Sequence, residues 1–194
     1  ARARAQALTA LAKLASRASD RVEREMAAAA AWLAADEPAA ALPHGARALA
    51  SMTQDDDAPE VPATLRREVL VTPGEAAWRQ RAWPDVIRAY RGLVDDPGAS
   101  LERIGVFRYR LAVAADRTGN PQLALATLEP LVIERTSSPE LAIDERTSET
   151  IRATTPEMRG QALRLFADLA ERSGDLGGAA SALEGFAALS IDSS

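Results

Sequence analysis

Three short segments of this chain repeat one design: Arg81-Ala82-Trp83-Pro84-Asp85-Val86-Ile87, Gly119-Asn120-Pro121-Gln122-Leu123-Ala124-Leu125 and Gly174-Asp175-Leu176-Gly177-Gly178-Ala179-Ala180. Each closes one amphipathic helical run and opens another. A helix, a tight polar turn and a second helix, recurring along a chain, predict stacked helical hairpins rather than one globule built around a site. The expected class is therefore all-α, a single array over residues 1–194.

Composition narrows the packing. Hydrophobic residues make up 47% of the chain and aromatics only 4%, much of the remainder being alanine, so helices must approach closely through small side chains. A net charge of −5, with arginines alternating with carboxylates, lacks the basic stripe that nucleic acid requires. Lys13 is the only lysine, which points to a GC-rich, bacterial source. No cysteine is present, so disulfides, zinc–thiolate sites and cysteine nucleophiles are excluded, and the compartment stays open between cytoplasm and periplasm. No run reaches the 18 or so apolar residues of a membrane span, so membrane insertion is not expected. The start, Ala1-Arg2-Ala3-Arg4-Ala5, already reads as helix and has no initiator methionine, which suggests a piece of a longer chain or complex.

Along the chain, Ala7, Leu8, Leu11, Leu14 and Ala15 form the apolar face of a leading helix over residues 1–18. Asp20 and Glu23 have capping-box spacing, predicting a helix start there and a first unit over 20–52, broken by Asp36-Glu37-Pro38 and holding Pro43 in a first turn or at a kink. Thr53 to Pro62 reads as an exposed loop. A second unit spans 64–95, its first half restarting or bending at Thr72-Pro73-Gly74-Glu75 and its second beginning with Pro84 at the first helical position. A third unit over 101–133 is joined by Thr118-Gly119-Asn120-Pro121. Residues 134–155 lose periodicity and form an irregular, Ser/Thr-rich insertion, with room for a short helix after Ser138-Pro139. The fourth unit, 156–189, starts at Thr155-Pro156-Glu157 and turns at Ser173-Gly174-Asp175.

These units resemble the tetratricopeptide repeat, a helix-turn-helix of about 34 residues with small residues where its helices cross. Ala29, Gly74, Ala112 and Ala167 stand at the small position of the first helix, and Ala41, Val86, Ala124 and Ala179 at that of the second. Leu111, Trp32, Tyr90, Gly119 and Gly174 match further positions, while Pro73 replaces the family's leucine and the spacing between units is wider. The resemblance covers roughly Asp20 to Leu189 and implies a right-handed alpha-alpha superhelix whose first helices line a partner-binding groove.

Carried over residue by residue, the groove candidates are Met26 in the first unit and Glu75, Trp78 and Arg79 in the second. Tyr109, Val113, Asp116 and Arg117 follow in the third, and Arg164, Asp168 and Arg172 in the fourth. Trp78 and Tyr109 are either flat apolar anchors or core; Arg79, Arg117 and Arg172 either pair partner carboxylates or pair acids nearby. An acidic ligand with apolar spots is the expected occupant. The lysines and asparagines of the family's peptide-terminus clamp are missing, so recognition of a C-terminal carboxylate is not expected.

Sites of chemistry are scarce. His44 is the only histidine, so no histidine metal cluster can form, and an inter-helix or surface role is expected. Asp55-Asp56-Asp57 lacks the alternation and glycine of a calcium loop, and Gly174-Asp175-Leu176-Gly177-Gly178 lacks the strand and Lys-Ser or Lys-Thr of a phosphate loop. Asp116, Asp168 and Glu171 are the only acids that suggest an enzyme. The expected function is a scaffold that binds a protein or peptide, without catalysis or cofactor; the alternative is a sensor whose groove takes a small ligand or signalling peptide.

Overall fold

The computed structural model describes residues 1–53, 62–96, 98–132 and 145–192. They form ten helices and no strand. The helices are α1 (Arg2–Ala12), α2 (Ala18–Ala34), α3 (Pro38–Thr53), α4 (Ala63–Gln80), α5 (Trp83–Val94), α6 (Leu101–Arg117), α7 (Pro121–Val132), α8 (Glu145–Ala153), α9 (Pro156–Ser173) and α10 (Leu176–Asp192). Neighbours in sequence pack against each other within two compact units, Ala1–Gly98 and Ala99–Ser194.

In the first unit, α2 and α3 cross where Ala29 and Ala41 are both fully buried together with Ala76 of α4. Below this crossing Val22, Met26, Ala48 and Val69 close a second cluster. At α3–α4 a Cβ on Gly45 would overlap the ring of Pro73, and at α4–α5 one on Gly74 would lie 2.8 Å from Cε1 of Tyr90. Absent side chains thus set the helix spacing on both sides of α4.

The same contacts explain a departure from the sequence reading. Thr72-Pro73-Gly74-Glu75 does not restart a helix; α4 runs unbroken from Ala63 to Gln80. A proline inside a helix costs about 3 kcal/mol. Here its ring fills the notch left by Gly45 while Gly74 admits Tyr90, and that packing overrides the local capping signal. Pro43 is likewise interior to α3, past its first turn.

Two other local signals also yield. The leading helix stops at Ala12 and buries Ala5, Ala12 and the following Ala15, leaving Leu11 and Leu14 48% and 74% exposed. The Asp20/Glu23 box is not used: α2 starts two residues earlier, after Arg17, with no side-chain cap. Asp20 instead lies in the first turn, where a carboxylate suits the helix dipole.

In the second unit the turn chemistry works as read. Gly119 and Gly174 take left-handed φ values of 77° and 85°, Pro121 opens α7, and the Thr155 hydroxyl caps α9 by accepting from the Met158 amide at 3.3 Å. Ala112, Ala115, Ala124, Leu128, Leu131, Ala162 and Leu169 make one core of α6, α7 and α9; Leu163, Ala167 and Ala182 make another of α9 and α10. The stretch read as an irregular insertion contains α8, which packs on α6 and α7. Its end docks Thr154 into the space left by Gly105, and the Thr154 hydroxyl donates to the Thr150 carbonyl at 2.7 Å. Threonines that satisfy their own hydroxyls within the helix can be buried, which a hydrophobicity pattern does not register. The loop expected over residues 53–62 and the helix expected after Ser138-Pro139 fall mostly outside the described residues.

Candidate functional site

The sequence candidates divide between the two units. In the first, Met26 is 5% exposed and belongs to the core of α2, α3 and α4, so it offers nothing to a partner. Trp78 is half-buried near the end of α4, with the ring of Trp83 standing on it edge-to-face at 5.8 Å and 69°. Glu75 and Arg79, one turn apart, pair at 2.9 Å, and a second nitrogen of Arg79 lies 3.6 Å from Asp36.

The second unit gathers more of them. The α6 and α9 helices lie side by side, with α7 packed on both. Arg172 on α9 donates to Asp116 on α6 at 2.9 Å and lies 3.0 Å from Asp168, one turn back on its own helix. The Asp116 hydrogen bond raises the Arg172 pKa above its ordinary value, against a smaller opposing effect of burial. Val113, half-buried, sits one turn before Asp116, and Arg117 is exposed beside it. Tyr109 packs against the core of α6, α7 and α9. Arg164 lies over the Phe186 ring at 4.0 Å, at the side of α9 that faces α10. That pair borders an open hollow of about 480 Å³ with Pro156, Gly160, Gln161 and Leu189.

A buried polar cluster of the first unit escaped the sequence reading. Glu25 on α2, 4% exposed, accepts Nε of Arg47 at 2.7 Å and a second Arg47 nitrogen at 3.1 Å. Its Oε2 lies 2.5 Å from Nδ1 of His44, and Nε2 of His44 lies 3.0 Å from the Thr9 hydroxyl, which also accepts the Trp32 indole N–H at 3.0 Å. Nδ1 donates to the carboxylate, and a terminal nitrogen of Arg47 stands 2.9 Å from the same Nδ1. Burial pushes the Glu25 carboxyl up, but the hydrogen bonds from Arg47 and His44, reinforced by their charges, together hold it below its ordinary value. The arrangement stitches α1, α2 and α3 together. The hint lay in periodicity: Glu25 falls on the stripe of Val22, Met26 and Ala29, and His44 on that of Ala41 and Ala48.

Hydroxyl, imidazole and carboxylate stand in the order of an acyl-transfer relay. The Thr9 oxygen is already engaged by Trp32, and the cluster ties three helices together. One cavity of about 280 Å³ is apolar and lies among α3, α4 and α5, lined by Leu42, Pro43, Leu49, Val69, Leu70 and Pro73 with Asp85 and Arg88 at its edge. Among the described residues no three His, Asp or Glu side chains converge as metal ligands, and no helix is long and apolar enough to cross a membrane. Compared with known proteins, the chain matches no family model, no curated protein and no solved structure.

Proposed function

We propose that this protein is an interaction scaffold built of tetratricopeptide-like hairpins of the right-handed alpha-alpha kind, holding a segment of another protein and catalysing no reaction. Two features favour the hairpin assignment: the small positions Ala29, Ala41, Ala112 and Ala124 are fully buried at helix crossings, and the first helices α2 and α4, and α6 and α9, touch across the helix between them. The observation that carries the binding role is the α6–α9 surface. There Asp116, Arg172 and Asp168 form a charged ladder next to half-buried Val113 and exposed Arg117. Exposed ion pairs add little to stability, so such a ladder is better suited to setting the register of a charged partner than to holding the fold. Arg117, exposed beside the ladder, favours an acidic segment, and Val113 supplies an apolar contact.

A photo-crosslinking amino acid at Val113, compared with one at Glu129 on the exposed side of α7, tests this reading in extracts of the source cell. Adducts from Val113 that disappear with Arg117→Glu support it. Equal labelling from both positions, or none from either, overturns it.

The sensor reading is favoured by a different feature, the 280 Å³ apolar cavity of the first unit. A cavity of that kind suits a small apolar molecule. A rise in melting temperature with such a molecule, abolished by Leu70→Trp, is the expected result.

A further inference from the structure

Two helices show a second apolar stripe, on a side other than the one that packs. On α1, Ala3, Ala7 and Ala10 are exposed and continue into exposed Leu11 and Leu14, opposite buried Ala5 and Ala12. On α10, Leu176, Ala180, Leu183 and Ala187 are exposed, while Ala179 and Ala182 face α9. Both stripes advance by four and then three residues, the spacing of a seam made to meet another helix. Leu14, Leu176 and Leu183 are 74%, 69% and 53% exposed, more than isolated surface leucines require.

Charge distinguishes the two. Residues 1–19 contain Arg2, Arg4, Lys13 and Arg17 and no acid; residues 173–194 contain Asp175, Glu184 and Asp192 and no base. Elsewhere the chain mixes both signs. Arg2 reaches Glu37 at 3.5 Å, whereas Arg4, Lys13 and Arg17 are exposed, as is Glu184 beside the α10 stripe. Two copies of α1 would bring like charges together, and so would two copies of α10. The α1 stripe against the α10 stripe matches leucine to alanine and base to acid.

We infer that α1 of one copy docks on α10 of a second copy, head to tail, through these leucine–alanine seams. Alanines allow the helices to approach closely, the leucines fill the remaining space, and the flanking charges select the pairing. Because the two faces differ, the contact is heterologous, and each docked copy leaves a free face at either side. Such a contact closes into a ring or extends into a chain according to its rotation.

Sedimentation velocity of the 194-residue chain tests this. The expected result is an average mass that grows between about 5 and 500 µM protein and falls with added salt. Leu11→Glu/Leu14→Glu, at the end of α1 and just beyond it, and Leu176→Lys/Leu183→Lys on α10 replace exposed residues, so the fold is kept. Each variant alone stays monomeric, and their mixture forms a 1:1 dimer through the one intact pair of faces. A wild type that stays monomeric throughout overturns the inference. So does a single variant that still self-associates, which would mean pairing of like faces, or an association indifferent to salt, which would remove the charge match.

Discussion

Glu25 is an acid buried among helices and held there by Arg47 and His44. The Arg47 side chain is half-exposed, so weakening the charge-assisted hydrogen bonds to the carboxylate is expected to cost about 1–3 kcal/mol. Glu25→Gln should lower the denaturant midpoint accordingly at neutral pH. The pH dependence follows from sign: a carboxyl whose folded pKa is depressed binds fewer protons folded than unfolded. Its stabilisation is present above the ordinary value of 4.5 and is lost as pH falls through the lower folded value. An acid titration of stability should thus show a limb in the wild type that Glu25→Gln lacks. A limb of equal size in both would remove Glu25 as its source. Arg81, at φ 54°, presents the opposite case, a side chain in the left-handed region where only glycine rests without strain. Arg81→Gly relieves about 1 kcal/mol of that strain and should raise the melting temperature slightly.

Elements are held by what their glycines leave out. A Cβ on Gly105 would overlap Thr154, so Gly105→Ala must push α8 off α6, with an expected cost of about 1–3 kcal/mol. At Gly177, by contrast, the nearest atom to an added Cβ is 3.8 Å away, and Gly177→Ala should gain up to about 1 kcal/mol of helix propensity. Chemical denaturation of the two variants checks the opposite signs. This contrast also separates what could be read from residues alone. The ends of α6, α7 and α9 were legible because Gly119, Pro121, Thr155 and Gly174 act within a turn of themselves. The continuity of α4 was not, because it depends on Gly45 lying opposite Pro73, a pairing between distant residues. The candidate site divides the same way: Asp116, Asp168 and Arg172, named from a resemblance, stand together in ion pairs, and the Glu25–His44 pair was missed because its partners are 19 residues apart. Met26 was misplaced on a groove because the stripe it shares with Val22 is the packing face.

At the scale of the molecule, Ala1–Gly98 and Ala99–Ser194 each contain complete core clusters of their own. Each unit expressed alone should therefore give a helical far-UV spectrum and a cooperative melt; a half that stays unfolded would show that its core depends on the other. The composition of those cores has a further consequence. Eight of the fully buried positions just discussed or clustered with them, Ala28, Ala29, Ala41, Ala48, Ala76, Ala112, Ala115 and Ala124, contribute a single methyl group each. Removing a methyl costs about 1 kcal/mol of helix propensity, whereas adding two leaves no space for them between backbones already in near contact. A core of this kind tolerates erosion and resists growth. In a saturation screen for folded protein the forbidden changes at these sites would be Ala→Val and Ala→Leu, with Ala→Gly and Ala→Ser passing, the reverse of the pattern in a core built from leucine and phenylalanine. The sequence is thereby free to drift toward smaller residues and barred from larger ones, so the thinness of its hairpins is what descent would preserve.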